Sequence, residues 1–166
     1  MITVAALIGP AWSAHIGWER LASDAVLTAV RVGGRLAIED APSCFEVSVK
    51  FADDDEVRAL NGSYRGKDAP TNVLSFPMMS AAELARPPAQ GGLLGDIILA
   101  AGVCAAEAAE KSIALADHTG HLIVHGTLHL LGHDHQADDE AAAMKDHERR
   151  ALDRIGIADP YAQIDV

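Results

Sequence analysis

The chain has 166 residues, of which 49% are hydrophobic and 22% charged. That size and balance describe one ordered globular domain, expected to span residues 1–166, and exclude long disorder. Lys and Arg number 13 against 24 Asp and Glu, a net charge of −11, which excludes a broad basic surface for nucleic acid and leaves only a local basic patch or a metal to hold one. Cys44 and Cys104 are too few for a disulfide framework or an all-cysteine zinc site, and read as core or neutral positions.

In chain order, residues 2–8 read as a strand. They are apolar but short and lack a basic lead, so they do not read as a signal peptide. Ile16 to Val32 carries helical spacing, stopped by Gly33 and Gly34. Phe45 to Phe51 alternates apolar and polar, a half-buried strand. Asp53 to Glu56 opens a helix running to about Tyr64, followed by a polar loop with Arg65, Lys67 and Asp68. Thr71 to Phe76 is a strand closed by Pro77. Residues 78–92, with two Pro and two Gly, read as irregular. Leu93 to Leu99 is a strand, Val103 to about Ala116 a helix, and His118 to Leu131 a helix apolar on most sides and therefore central. A last helix covers roughly Asp138 to Ile155. The mixture predicts an α+β fold: one small mixed sheet of about four strands, packed with several helices. No apolar run approaches the roughly 20 residues of a membrane span, and the expected location is cytoplasmic.

Of the eight histidines, all but His15 fall between His118 and His147. His125 and His129 sit one helical turn apart on one face. Gly132 can end the helix through a left-handed residue, and His135 can then return as a third ligand. Three imidazoles leave one tetrahedral position open, the arrangement of a catalytic zinc. His-x3-His-x2-Gly-x2-His matches the spacing of metzincin proteases. Their general-base Glu, however, is replaced by Gly126, which cannot take a proton.

Residues 125–135, His-Gly-x-Leu-His-Leu-x-Gly-x-Asp-His, are similar to the metal motif of the YbeY family of bacterial rRNA-maturation endoribonucleases. Asn61, Tyr64 to Asp68, Pro70 to Pro77, Leu94 to Ile97 and Asp159-Pro160-Tyr161 also resemble that family, in the same order. His133 departs from it, standing where the family often has Tyr. The resemblance implies a zinc-dependent single-strand endoribonuclease that matures the 3′ end of small-subunit rRNA and serves ribosome quality control. It implies ribosomal RNA, the small subunit and assembly factors as partners, with no DNA and no membrane. It also implies one zinc per chain on His125, His129 and His135.

Arg65 matches the family's functional arginine. By spacing alone it reads as a solvated loop charge; the resemblance assigns it, with His125, to catalysis and, with Lys67, to substrate binding. An arginine can grip a phosphate through two parallel hydrogen bonds and stabilise charge in the transition state. The competing expectations are a metzincin-like metalloprotease and a non-catalytic zinc-containing ribosome-assembly factor. Asp68 is expected to fix its loop, and His118 and His121 to be structural. Asp96 and Asp134 are candidates for orienting an imidazole, and His15 and His147 carry no expected role.

Overall fold

A computed structural model describes residues 1–34 and 36–162; Arg35 and the last four positions of the expected single domain lie outside the described residues. Four strands, β1 (Ile2–Ile8), β2 (Phe45–Ala52), β3 (Val73–Pro77) and β4 (Gly92–Ala100), form one sheet in the order β1-β2-β4-β3. β1 and β4 flank β2 in parallel, and β3 joins β4 antiparallel, so the sheet is mixed. The expected alternation in β2 is real: Phe45, Val47, Val49 and Phe51 are fully buried while Glu46, Ser48 and Lys50 are half-buried.

Helix α1 (Trp18–Val32) and the central helix α6 (Leu115–Leu130) cover one face of the sheet. Helix α7 (Asp138–Arg154) packs on both of them. On α6, eleven of sixteen residues are buried, which makes it the middle of the core rather than a surface helix. Helix α3 (Asp54–Arg65) lies over the other face, where Val57 joins Ala52, Leu74 and Ala100. It starts at Asp53, whose carboxylate accepts from the Glu56 N–H at 2.8 Å, the cap expected of an aspartate in this position. Trp12, Trp18 and Phe51 close one end of the core with rings 4.9–5.5 Å apart.

Three expectations change. The helix expected over residues 103–116 is α5 (Ala101–Glu110), which stops at Lys111 before α6 begins. Ser112 adopts φ 55°, while its N–H bonds Ala109 O and the Ile113 N–H bonds Ala108 O. That pair of bonds is a Schellman turn, normally announced by glycine; a serine in the left-handed position leaves no signal in the sequence. Within the irregular 78–92 stretch lies a short helix, α4 (Ala81–Ala85), started by a reciprocal capping box between Ser80 and Glu83. A four-residue helix, α2 (Leu36–Glu39), was not expected. Cys104 is buried, with burial pushing its thiol up to about 12. Cys44 is exposed.

The β2–β4 register shifts between Glu46 and Val47, so Glu46 faces Leu93 and Val47 faces Gly95. Gly95 has φ 156°, and a Cβ there would lie 2.5 Å from Leu130 Cδ2 and 2.6 Å from the Phe76 carbonyl oxygen. Backbone strain and backbone overlap act together. Gly95→Ala is therefore expected to lower stability by about 3 kcal/mol in urea unfolding. Gly62→Ala, in an open part of α3, should raise it by up to about 1 kcal/mol. Equal effects from the two would contradict this reading of Gly95.

Candidate metal centre

The helical repeat places His125 and His129 on one face of α6, with their Nε2 atoms 3.1 Å apart. α6 then ends in a second Schellman turn. Gly132 takes φ 90°, the Gly132 N–H bonds His129 O, and the His133 N–H bonds Leu128 O. The chain reverses, and Asp134 Oδ1 accepts from the His135 N–H at 2.7 Å. Asp134 thus fixes the backbone of a candidate ligand, not its ring. The His135 ring stands 5.6 Å from that of His125 and 5.1 Å from that of His129. One nitrogen from each ring lies within 4.8 Å of the others.

Two nitrogens on a tetrahedral zinc, each about 2.0–2.1 Å away, stand about 3.3 Å apart, so the His125–His129 spacing fits a shared ion. The protonation state fits too. Burial, followed by the neighbouring His125 and His135, lowers His129 to about 4. It is therefore the neutral imidazole that a metal requires at neutral pH. This trio can bind a metal ion, and its three imidazoles leave a tetrahedral position open.

Behind the trio lies a carboxylate that sequence reasoning missed. Glu148 on α7 is 1% exposed. Its Oε1 accepts from His125 Nδ1 at 2.7 Å and His121 Nε2 at 3.1 Å, and its Oε2 accepts from the Tyr161 hydroxyl at 2.7 Å. Burial pushes Glu148 up, but the bonds from His121, His125 and Tyr161 together outweigh it and hold the acid at about 2. The proton on His125 Nδ1 fixes that ring's tautomer and leaves the Nε2 lone pair facing the cluster. The available signal was positional: Glu148 shares one face of α7 with buried Met144, Ala151 and Leu152, an acid set in an apolar stripe. Burial, and then the bond to Glu148, raise the Tyr161 phenol well above its usual range.

Two of the remaining histidines, His118 and His133, take structural partners. His118 Nε2 donates to Glu107 at 2.9 Å, and Asn72 holds the same carboxylate oxygen at 3.0 Å. His133 Nε2 donates to Gly33 O at 3.0 Å and its ring rests on His147, so it lies outside the trio. Asp68 fixes its loop as expected, through two bonds from Arg58 of 2.8 and 3.1 Å. Asp96, a candidate for orienting an imidazole, makes no side-chain hydrogen bond to one among the described residues.

Position 126, where the proteases carry their general base, faces the sheet. A Cβ there meets Ile97 of β4 at 3.3–3.4 Å. This side of α6 packs on the sheet and does not turn toward the imidazoles.

Two cavities, of about 500 and 330 Å³, meet at the trio and share Arg65, Ser75, His129 and His135. They form one trough beside the free edge of β3. Arg65 is the last residue of α3, and Gly66 at φ 68° turns the chain away behind it. Its guanidinium makes no ion pair or hydrogen bond among the described residues. Lys67 is exposed and lines neither cavity. The trough thus holds three convergent imidazoles that could share a metal ion, together with an uncommitted guanidinium. Such a set suits attack on a phosphate ester. No described helix is long and apolar enough to cross a membrane.

Comparison with known proteins agrees with this picture. A family model described as Endoribonuclease YbeY matches residues 21–156. An Endoribonuclease YbeY of Rhizorhabdus wittichii is 56% identical over 98% of both chains. One of Novosphingobium aromaticivorans is 52% identical over 93% of both. The solution structure of a Thermotoga maritima protein, TM1509, superposes with a TM-score of 0.56 over 98% of this chain and 100% of that one, at 21% identity, a likeness of fold. With a matching family model over most of its length and relatives above half identity from end to end, the chain belongs to the YbeY family.

Proposed function

We propose that this chain is a zinc-dependent endoribonuclease. It cuts single-stranded RNA in ribosomal-RNA processing, at the maturing 3′ end of the small-subunit species, and serves ribosome quality control in the cytoplasm with the small subunit and its assembly factors. The observation that carries the reading is an unpaired guanidinium, Arg65, lining the same trough as three convergent imidazoles. Family membership and the endoribonuclease names of the relatives supply the substrate class.

His125, His129 and His135 would hold the ion. Zinc supplies a Lewis acid for a phosphoryl oxygen and acidifies a water toward neutral pH. The protein's own residues do the rest. Arg65 grips the phosphate through parallel hydrogen bonds and meets the charge that grows on its oxygens. Glu148 keeps His125 in the ligating tautomer. The metalloprotease alternative needs a base beside His125, and that place is Gly126, packed on Ile97. Glu148 is taken up by His121, His125 and Tyr161, so it does not stand in for the missing one. The wild-type protein should accordingly show no casein hydrolysis. The assembly-factor alternative leaves the open coordination position and the unpaired Arg65 without a use; cleavage of a small-subunit rRNA precursor, abolished by chelator, separates it from the reading proposed.

Metal analysis of the purified protein should find about one zinc per chain. Replacing any one of His125, His129 or His135 with Ala should remove most of it, and unchanged content in the triple variant would place the ion elsewhere.

Arg65→Ala should keep zinc and melting temperature, because an exposed unpaired charge contributes little to folding. It should slow cleavage on the order of a hundredfold, the usual loss for one transition-state donor. Cleavage at the wild-type rate would return Arg65 to an ordinary surface charge.

Glu148→Gln should weaken zinc binding about tenfold to a hundredfold. It should also alter acid stability. Glu148 is depressed to about 2 from an ordinary 4.5, so the unfolded chain binds its proton first as pH falls. Its contribution is complete above pH 4.5 and lost as pH drops through about 2. Urea midpoints of wild type and Glu148→Gln should therefore converge between these limits, and a constant gap would contradict an ionised buried Glu148.

A further inference from the structure

A third cavity, of about 480 Å³, opens from the trough on the side away from Gly132. Lys111, His118 and His121 line both spaces, so the two are continuous. Beyond that neck Ile113, Ile157, Ala158 and Pro160 line the cavity together with Asp117 and Asp159. We propose that this cavity is a nucleobase subsite, which receives a base of the RNA strand whose phosphate lies in the metal trough.

Three observations support this choice of occupant. The volume lies within the range of small-molecule pockets, roughly 300–1,000 Å³. The walls are built and not adventitious. Ile113 directly follows the left-handed Ser112 and bonds back to Ala108 O at 3.0 Å. Ile157 directly follows Gly156 at φ 77° and bonds back to Leu152 O at 2.9 Å. Both isoleucines thus occupy the apolar position of a Schellman turn, held by the ends of α5 and α7. Lastly, charge sorts the two parts of a nucleotide. The carboxylates disfavour phosphate in the cavity, while Lys111 at the neck suits the phosphodiester between cavity and metal.

Asp117 has no hydrogen-bond or ion-pair partner among the described residues, and its oxygens accept only. Asp159 is already held by Arg149 and the Tyr161 N–H. Adenine, cytosine and guanine present amino donors to Asp117. Uracil offers a single N–H flanked by two carbonyl oxygens, which a carboxylate repels. The subsite therefore takes amino-bearing bases and disfavours uracil.

The inference rests on the RNA reading above, but its test reads binding without cleavage, so failure of one can be told from failure of the other. The full-length, zinc-loaded protein is labelled at isoleucine δ1 methyls and titrated with the four nucleoside 5′-monophosphates and with ribose 5-phosphate. Ile113 and Ile157 should shift with the nucleotides while the buried Ile123 stays still. AMP, CMP and GMP should bind about tenfold more tightly than UMP, the gain of one hydrogen bond to a charged group, and Asp117→Asn should level that difference. Ala158→Trp, at an exposed position, fills the cavity and should abolish the shifts while zinc content and melting temperature hold. The proposal is overturned if neither methyl moves, if ribose 5-phosphate moves them as far as the nucleotides do, or if Ala158→Trp leaves the shifts in place.

Discussion

The charge buried on Glu148 ties the core of this protein to its site. A carboxylate removed from water costs several kcal/mol, and α7 places this one almost fully out of reach of solvent. Three donors offset that cost, each bond to a charged group contributing about 1.5–3 kcal/mol. Two of them, His121 and His125, come from the helix that fills the middle of the molecule, and the third from Tyr161 beyond the end of α7. Helix packing, the orientation of a candidate metal ligand and the path of the chain after α7 therefore depend on one ionised group.

Helix α6 must satisfy two demands that ordinarily conflict. A central helix should be apolar, yet this one carries His118, His121, His125 and His129. The conflict is resolved by facing. Gly126 turns a side without a side chain to Ile97, allowing close approach to the sheet. The imidazoles turn the other way, where Glu107 and Glu148 accept from three of them. His129 remains, its proton affinity lowered by burial and by its neighbours. Burial disfavours the protonated ring and so favours the neutral form in which an imidazole binds a metal.

Net charge creates a second tension. A chain with a surplus of eleven negative charges repels a polyanion at long range, so any phosphate recognition has to be local. Arg65 would meet that need, because no described residue neutralises it. Its neighbour Arg58, by contrast, is committed to Asp68, and that pair keeps a second charge away from the trough while fixing the loop that follows α3.

The convergence of His125, His129 and His135 was legible in the sequence because its geometry is local. A helical repeat of 3.6 residues places His125 over His129, and a glycine three residues on permits the reversal that returns His135. The strands, the mixed α+β class and the central place of α6 were legible from hydrophobic patterning, a one-dimensional record of burial. The break between α5 and α6 was not, since its left-handed residue is a serine, nor was the helix whose capping box lies among prolines and glycines. Glu148 and the cavity between the ends of α5 and α7 were decided only by tertiary structure. Glu148 lies 23 residues from His125 along the chain, and the walls of the cavity come from turns more than forty residues apart. No local periodicity encodes such pairings; they exist because α7 packs against α1 and α6.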